Sequence, residues 1–130
     1  MTDIRRWLKG DRGSAVVEFA LVTPLLLLVA LAVLQITLAL HVRSTLTAAA
    51  AEGARAGALA DAGLGVAEAR TRDVLRDALG GDAAQDIVAT RIRRDGTELV
   101  AVRVTGRLPL LGTFGPTIVS VEGHAIRERP

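Results

Sequence analysis

From Phe19 to Leu40 the chain runs for 22 residues without a formal charge, FALVTPLLLLVALAVLQITLAL, with Thr23, Gln35 and Thr37 as its only polar side chains. At about 1.5 Å of rise per residue, a helix of this length crosses a hydrocarbon core of about 30 Å. Backbone polar groups inside lipid must be satisfied within the segment, so a single transmembrane helix is the expected structure. Pro24 falls near the start of the span, where a lost backbone hydrogen bond is most easily tolerated.

The flanks predict the orientation. Arg5, Arg6, Lys9 and Arg12 precede the span, whereas the near side beyond it offers only Arg43, Arg55 and His41. Cationic loops stay cytoplasmic, so the N-terminus is expected inside and residues from about Val42 to Pro130 outside the cytoplasmic membrane. The chain has no cysteine, which fits an exported domain without disulfides and fits a reducing compartment equally. The basic pI of 10.3 invites a nucleic-acid reading, but the charge is unevenly placed. The leader Met1 to Gly13 carries four cations against Asp3 and Asp11, and this surplus of two equals the net charge of the whole chain. A balanced remainder with no aromatic stacking platform argues against DNA or RNA as a partner.

Past the span, VRSTLTAAAAEGARAGALA (residues 42–60) has high helix propensity through its alanines, and the membrane helix is expected to continue to about Ala60. Ala49, Gly53 and Gly57 recur every four residues and predict a stripe of small side chains that admits close approach of another helix or a sheet. Asp61 to Gly65 is a turn-rich break. Val66 to Leu79 predicts a second, amphipathic helix with Ala67, Thr71, Val74, Leu75 and Ala78 on its apolar face, stopped by Gly80 and Gly81.

From Gln85 the pattern turns β-branched with period two. Ile87 to Arg93 and Leu99 to Thr105 predict two strands joined by the hairpin signal Asp95-Gly96, with Val100, Val102 and Val104 on one face. RLPLLGTFGP (residues 107–116) predicts a loop with an apolar load in Leu108, Leu110, Leu111 and Phe114, expected to fold over the sheet edge or, in an assembly, to serve as a contact. Thr117 to Ala125 predicts a third strand, Val119, Val121 and Ala125 alternating with Ser120, Glu122 and His124. The fold class is therefore α+β: a long N-terminal helix whose first half spans a membrane, a short amphipathic helix, and a three-stranded antiparallel sheet covered by both helices.

No active site assembles from these residues, and an enzyme is not expected. His41 belongs at the membrane boundary and His124 on the last strand, with no second ligand near either in sequence, so neither a metal nor a cofactor is expected. Gly63-Leu64-Gly65 and Gly80-Gly81 lack the Lys-Ser or Lys-Thr of a phosphate-binding loop and act as helix punctuation. The cluster Arg91, Arg93 and Arg94 marks the solvated end of a hairpin, or a surface for an acidic partner.

One charge sits in an expensive place. Glu18 adjoins the apolar span in Gly13-Ser14-Ala15-Val16-Val17-Glu18-Phe19, and a carboxylate within a membrane helix calls for a reason. The apolar run is too long for a conventional secretory signal cut near Ala48-Ala49-Ala50. A short basic leader ending at Gly13 instead puts the cut on the cytoplasmic side and leaves the span in the mature protein.

The stretch DRGSAVVEFALVTPLLLLVALAVLQ, followed by AAAAEGARAGALA and a small α/β tail, resembles the TadE-like proteins of the tight-adherence (Flp-type) pilus, which are minor pilins or pseudopilins. The resemblance implies a pilin-like fold and a division into a leader (1–13), a transmembrane helix (14–41) and an extracytoplasmic α+β domain (42–130). It implies that Gly13 precedes the scissile bond, Ser14 is the new N-terminus, and Glu18 and Phe19 serve recognition and subunit pairing. Classical pilins begin with phenylalanine where this chain has Ser14. The implied partners are a prepilin peptidase, Flp-type pilins, other TadE-like subunits, and indirectly a membrane platform with its ATPase; the lipid bilayer is a partner in any case. The lateral contact surface expected is the helix Ala15 to Leu40 together with the small-residue stripe. The alternatives are an uncleaved single-span scaffold of a secretion complex and a secreted domain released after Ala50.

Overall fold

The computed structural model describes residues 4–81, 84–108 and 117–129. Helix α1 (Ile4–Ala58) is followed by helix α2 (Leu64–Leu79) and strands β1 (Ala84–Arg94), β2 (Thr97–Leu108) and β3 (Thr117–Ile126). The chain divides into two compact units, Met1–Thr37 and Leu38–Pro130. The first consists of the apolar part of α1, with a mean hydropathy of 2.6 over its most apolar 18-residue stretch, and its large side chains face outward. Leu27 and Leu28, for example, are 65% and 63% exposed. By length and composition this helix can cross a membrane, and the chain fits a single-pass membrane protein.

The second unit is a two-layer α/β arrangement. The sheet order is β1-β2-β3, antiparallel throughout. Asp95 and Gly96, with φ of 50° and 77°, form the two-residue turn between β1 and β2; both central residues take positive φ, as a type I′ hairpin turn demands. Val100, Val102 and Val104 are fully buried on the face covered by the helices. Against them pack Val42, Leu46, Ala49, Ala50, Ala54 and Ala58 of α1, with Ala67 and Leu75 of α2. Leu46 is the largest fully buried side chain, and burial of a leucine contributes about 2 kcal/mol. The rest of the helical contribution is mostly alanine, so the layers come close together.

The approach is closest at three glycines. A Cβ on Gly53 would collide with the Thr71 hydroxyl and lie 2.7 Å from the Ala67 carbonyl oxygen; one on Gly57 would lie 2.6 Å from the Ala67 Cβ. A Cβ on Gly123 of β3 would lie 2.5 Å and 2.8 Å from the carbonyl carbon and oxygen of Ala50. Helix α1 thus meets α2 along one small-residue stripe and β3 backbone to backbone along another. Thr71 is buried and spends its hydroxyl locally, donating to the Ala67 carbonyl at 2.8 Å.

Several boundaries differ from the sequence expectation. The second helix starts at Leu64, two residues before Val66, because Gly63 already takes the extended N-cap conformation (φ −96°, ψ 168°) and Gly65 enters the first turn. Ala78 is exposed, and Leu79 packs at the edge of the core in its place. The strands run longer than their β-branched centres: pairing carries β1 back to Ala84 through an irregularity at Ala84/Asp86, and carries β2 on through Arg107 and Leu108, which are strand and not loop. Residues 109–116, with Leu110, Leu111 and Phe114, lie outside the described residues. Gly80 and Gly81 end α2 at φ of 67° and 57°, with the Gly80 N–H donating to the Arg76 carbonyl at 3.0 Å.

Candidate functional site

The segment that carries Gly13, Ser14, Glu18 and Phe19 is helical throughout, inside α1, and all four residues are exposed; Phe19 is 71% exposed. Four residues of α-helix bring Ser14 and Glu18 to the same side, one turn apart. Among the described residues nothing lies within 4 Å of the position a Gly13 side chain would take. Among the described residues Glu18 forms no ion pair.

Ala49, Gly53 and Gly57 lie elsewhere, in the second unit. All three are buried, against α2 and the sheet within the same chain. The stripe is therefore taken up within the chain and does not join the lateral contact surface expected to include it. Sequence reading passed over Gly123, the residue that lets β3 touch the α1 backbone. The available signal was a lone glycine inside a β-branched run, which marks close approach of another backbone.

Polar groups of the second unit form small ion pairs. Arg70 of α2 donates to Glu52 of α1 at 3.0 Å and ties the two helices together. On the sheet face opposite the helices, Arg103 donates to Glu122 at 3.2 Å and the His124 Nε2 lies 3.0 Å from the same carboxylate. The hydrogen bond from Arg103, helped by the charges of His124 and Arg103, holds the Glu122 carboxyl below its ordinary range against a smaller opposing effect of burial. At the hairpin end Arg127 donates to Glu98 at 3.0 Å, and this bond together with the Arg127 charge lowers the Glu98 carboxyl in the same way, with smaller help from Arg93 and Arg91. His41 keeps its ring at the helix surface while its carbonyl accepts the Ser44 and Thr45 hydroxyls. Among the described residues no three His, Cys, Asp or Glu side chains gather as a metal site would require.

The open segment of α1 is also where similarity to known proteins lies. The model of the TadE-like protein family matches residues 13–55, from Gly13 through the apolar span and into the alanine-rich part of α1. The chain matches no curated protein and no solved structure. Over those residues the chain is similar to TadE-like proteins, and its one helix long and apolar enough to cross a membrane among the described residues fits a single-pass membrane protein.

Proposed function

We propose that this chain, TadE-like over residues 13–55, is a membrane-anchored pseudopilin or minor pilin that takes part in assembling a tight-adherence (Flp-type) pilus or a related secretion apparatus. The observation that carries this reading is the coincidence of three things at one place. The family match starts at Gly13, a lone carboxylate follows at Glu18, and the only candidate membrane span among the described residues follows directly. The N-terminus lies in the cytoplasm and the α+β domain outside, following the cations of the leader. A prepilin peptidase cuts between Gly13 and Ser14. The chain is a substrate and a subunit, not an enzyme.

Cleavage creates a cationic amine on Ser14 at the edge of the hydrocarbon. Glu18 neutralises such an amine, either one turn along the same helix or across to a neighbouring subunit, and in the second case sets the register of the two helices. Phe19 and the apolar side chains up to Leu40 supply the lateral surface for Flp-type pilins and other TadE-like subunits. The membrane platform and its ATPase act on the assembly and not on this chain alone.

The uncleaved scaffold is the second reading. It draws support from α1 running as unbroken helix through Gly13 and Ser14, so that a protease has to unwind the chain there. Gly13 lowers the cost of that unwinding, since glycine is about 1 kcal/mol less favourable than alanine in a helix. The decisive measurement is the N-terminal residue and mass of the mature protein from its native host. Ser14 as first residue supports the pseudopilin, an intact Met1 the scaffold, and a start near Ala51 neither. Glu18→Gln is expected to lower cleavage or co-assembly with a pilin; normal levels of both sink the role given to Glu18.

A further inference from the structure

The two edges of the sheet are unlike. Arg127 N–H donates to the Glu98 carbonyl at 2.9 Å, which makes Glu98 and Arg127 a hydrogen-bonded pair of the β2–β3 ladder. Antiparallel pairs alternate, so Val100–Ala125, Val102–Gly123 and Val104–Val121 are bonded too. The N–H and C=O groups of Ile118, Ser120, Glu122, His124 and Ile126 then point away from β2, to the free edge. The same alternation sends the Ala89 N–H of β1 outward, and there it donates to the Glu68 carboxylate of α2 at 3.1 Å. That independent bond checks the parity.

The β1 edge is guarded in the ways sheets commonly guard edges: a side chain caps it, its register breaks at Ala84/Asp86, and it carries Asp86, Arg91, Arg93 and Arg94. The β3 edge carries Glu122 and His124 but, among the described residues, no side-chain cap and no break in register. TIVSVEGHAI contains no proline and no lysine, the register is regular over its whole length, and the five residues with outward backbone groups are all exposed. Among the described residues no loop or side-chain hydrogen bond reaches those groups.

We propose that the free edge of β3 is a docking site for an extended strand from a different polypeptide, which adds to the sheet as a fourth strand and sets a basic side chain opposite Glu122. The charge follows from the row already present. Arg103 of β2 lies across from Glu122 of β3, so a cation on the next strand continues the alternation, whereas an acid there is repelled. Ile118 and Ile126, 63% and 67% exposed, flank the charged centre and call for apolar residues opposite them.

A second copy does not fit. Gly123 packs at Ala50 and Ala51, and the Glu128 N–H reaches the Ala58 carbonyl, so β3 and α1 ascend together. Antiparallel pairing of two β3 edges centred on Glu122 sets two carboxylates opposite each other. Parallel pairing of β3 with the next copy's β1 meets the Glu68 cap. Two β3 edges laid parallel put the helices of the two copies on opposite faces of the joined sheet.

The test uses the full-length chain in lipid nanodiscs and a fluorescent nine-residue peptide, Val-Thr-Thr-Thr-Arg-Thr-Thr-Thr-Val, with a version carrying glutamate at the centre. The arginine peptide is expected to bind, and the glutamate peptide to bind roughly fivefold more weakly. Ser120→Pro and His124→Pro each remove an outward N–H that the sheet does not use, and each is expected to weaken binding about tenfold with circular dichroism unchanged, melting staying unchanged for Ser120→Pro and falling slightly for His124→Pro, which also gives up its contact with Glu122. Glu122→Arg, which leaves the backbone intact, should reverse the preference between the two peptides. No binding by the wild type, binding that survives both prolines, or a wild-type dimer that Ser120→Pro dissolves overturns the proposal. Processing plays no part in this readout, so an intact Met1 in the native host defeats cleavage and leaves the docking result standing.

Discussion

The two halves of α1 are built in opposite ways. In the first unit the large side chains point outward, Leu25 and Leu26 among them, 61% and 63% exposed. In the second unit Ala49, Ala50 and Ala54 point inward and are fully buried, while Arg43, Ser44, Thr47 and Arg55 face solvent. One helix therefore serves two solvents. Where it meets lipid, bulk on every side is useful; where it meets its own sheet, bulk is what must be left out.

A charge placed in the first half should separate the two halves most sharply. Leu28→Arg costs about 2.5 to 3.5 kcal/mol at the centre of a membrane span, and is expected to release the chain from membranes in carbonate extraction while the outer domain still resists protease. The mirror experiment is Gly123→Val, which drives a branched side chain into the α1 backbone. Its expected cost is about 3 kcal/mol, read as a lowered melting temperature of the outer domain with membrane retention unchanged. Should Gly123→Val melt like the wild type, the backbone contact with Ala50 does not govern the domain.

Gly57→Ala tests the same half more gently. The new methyl meets the Ala67 Cβ at 2.6 Å and is expected to cost about 1 to 2 kcal/mol, less the gain in helix propensity. The smallest effect concerns acid. Glu98 and Glu122 both have carboxyls held below their ordinary range, so their contribution is present above the unfolded carboxylate value, about 4.3, and is lost as pH falls through the lower folded value. Melting temperature should therefore fall below about pH 4, and the fall should be shallower in Glu98→Gln/Glu122→Gln. Membrane extraction should be indifferent to pH over this range, because neither residue belongs to the span.

The architecture was legible because its signals are strong and local. Twenty-two uncharged residues, an Asp-Gly turn between alternating runs and a Gly-Gly stop each specify their element with little help from the rest of the chain. The stripe at Ala49, Gly53 and Gly57 was legible as a packing face, but not its occupant, since four-residue spacing is equally suited to α2 and to another subunit. Gly123 and the unequal sheet edges were not legible, because both depend on which backbone lies across from which. Glu68 shows the difference: by sequence it is one of the polar residues of an amphipathic helix, and only the fold brings it to the Ala89 N–H. At the candidate site, Gly13, Ser14, Glu18 and Phe19 were all named from the chain, since a leader, a carboxylate and a span are read in linear order.

The contact of Gly123 with Ala50 and Ala51 joins the first element of the outer domain to its last strand. During synthesis α1 emerges first, and the part of its alanine face that packs on β3 stays bare until residues 117–126 have followed. The second unit thus closes only when β3 has been made, and a chain stalled before residue 117 keeps those alanines uncovered. A protease that removes incomplete chains has a simple criterion in such a molecule: whether β3 has arrived.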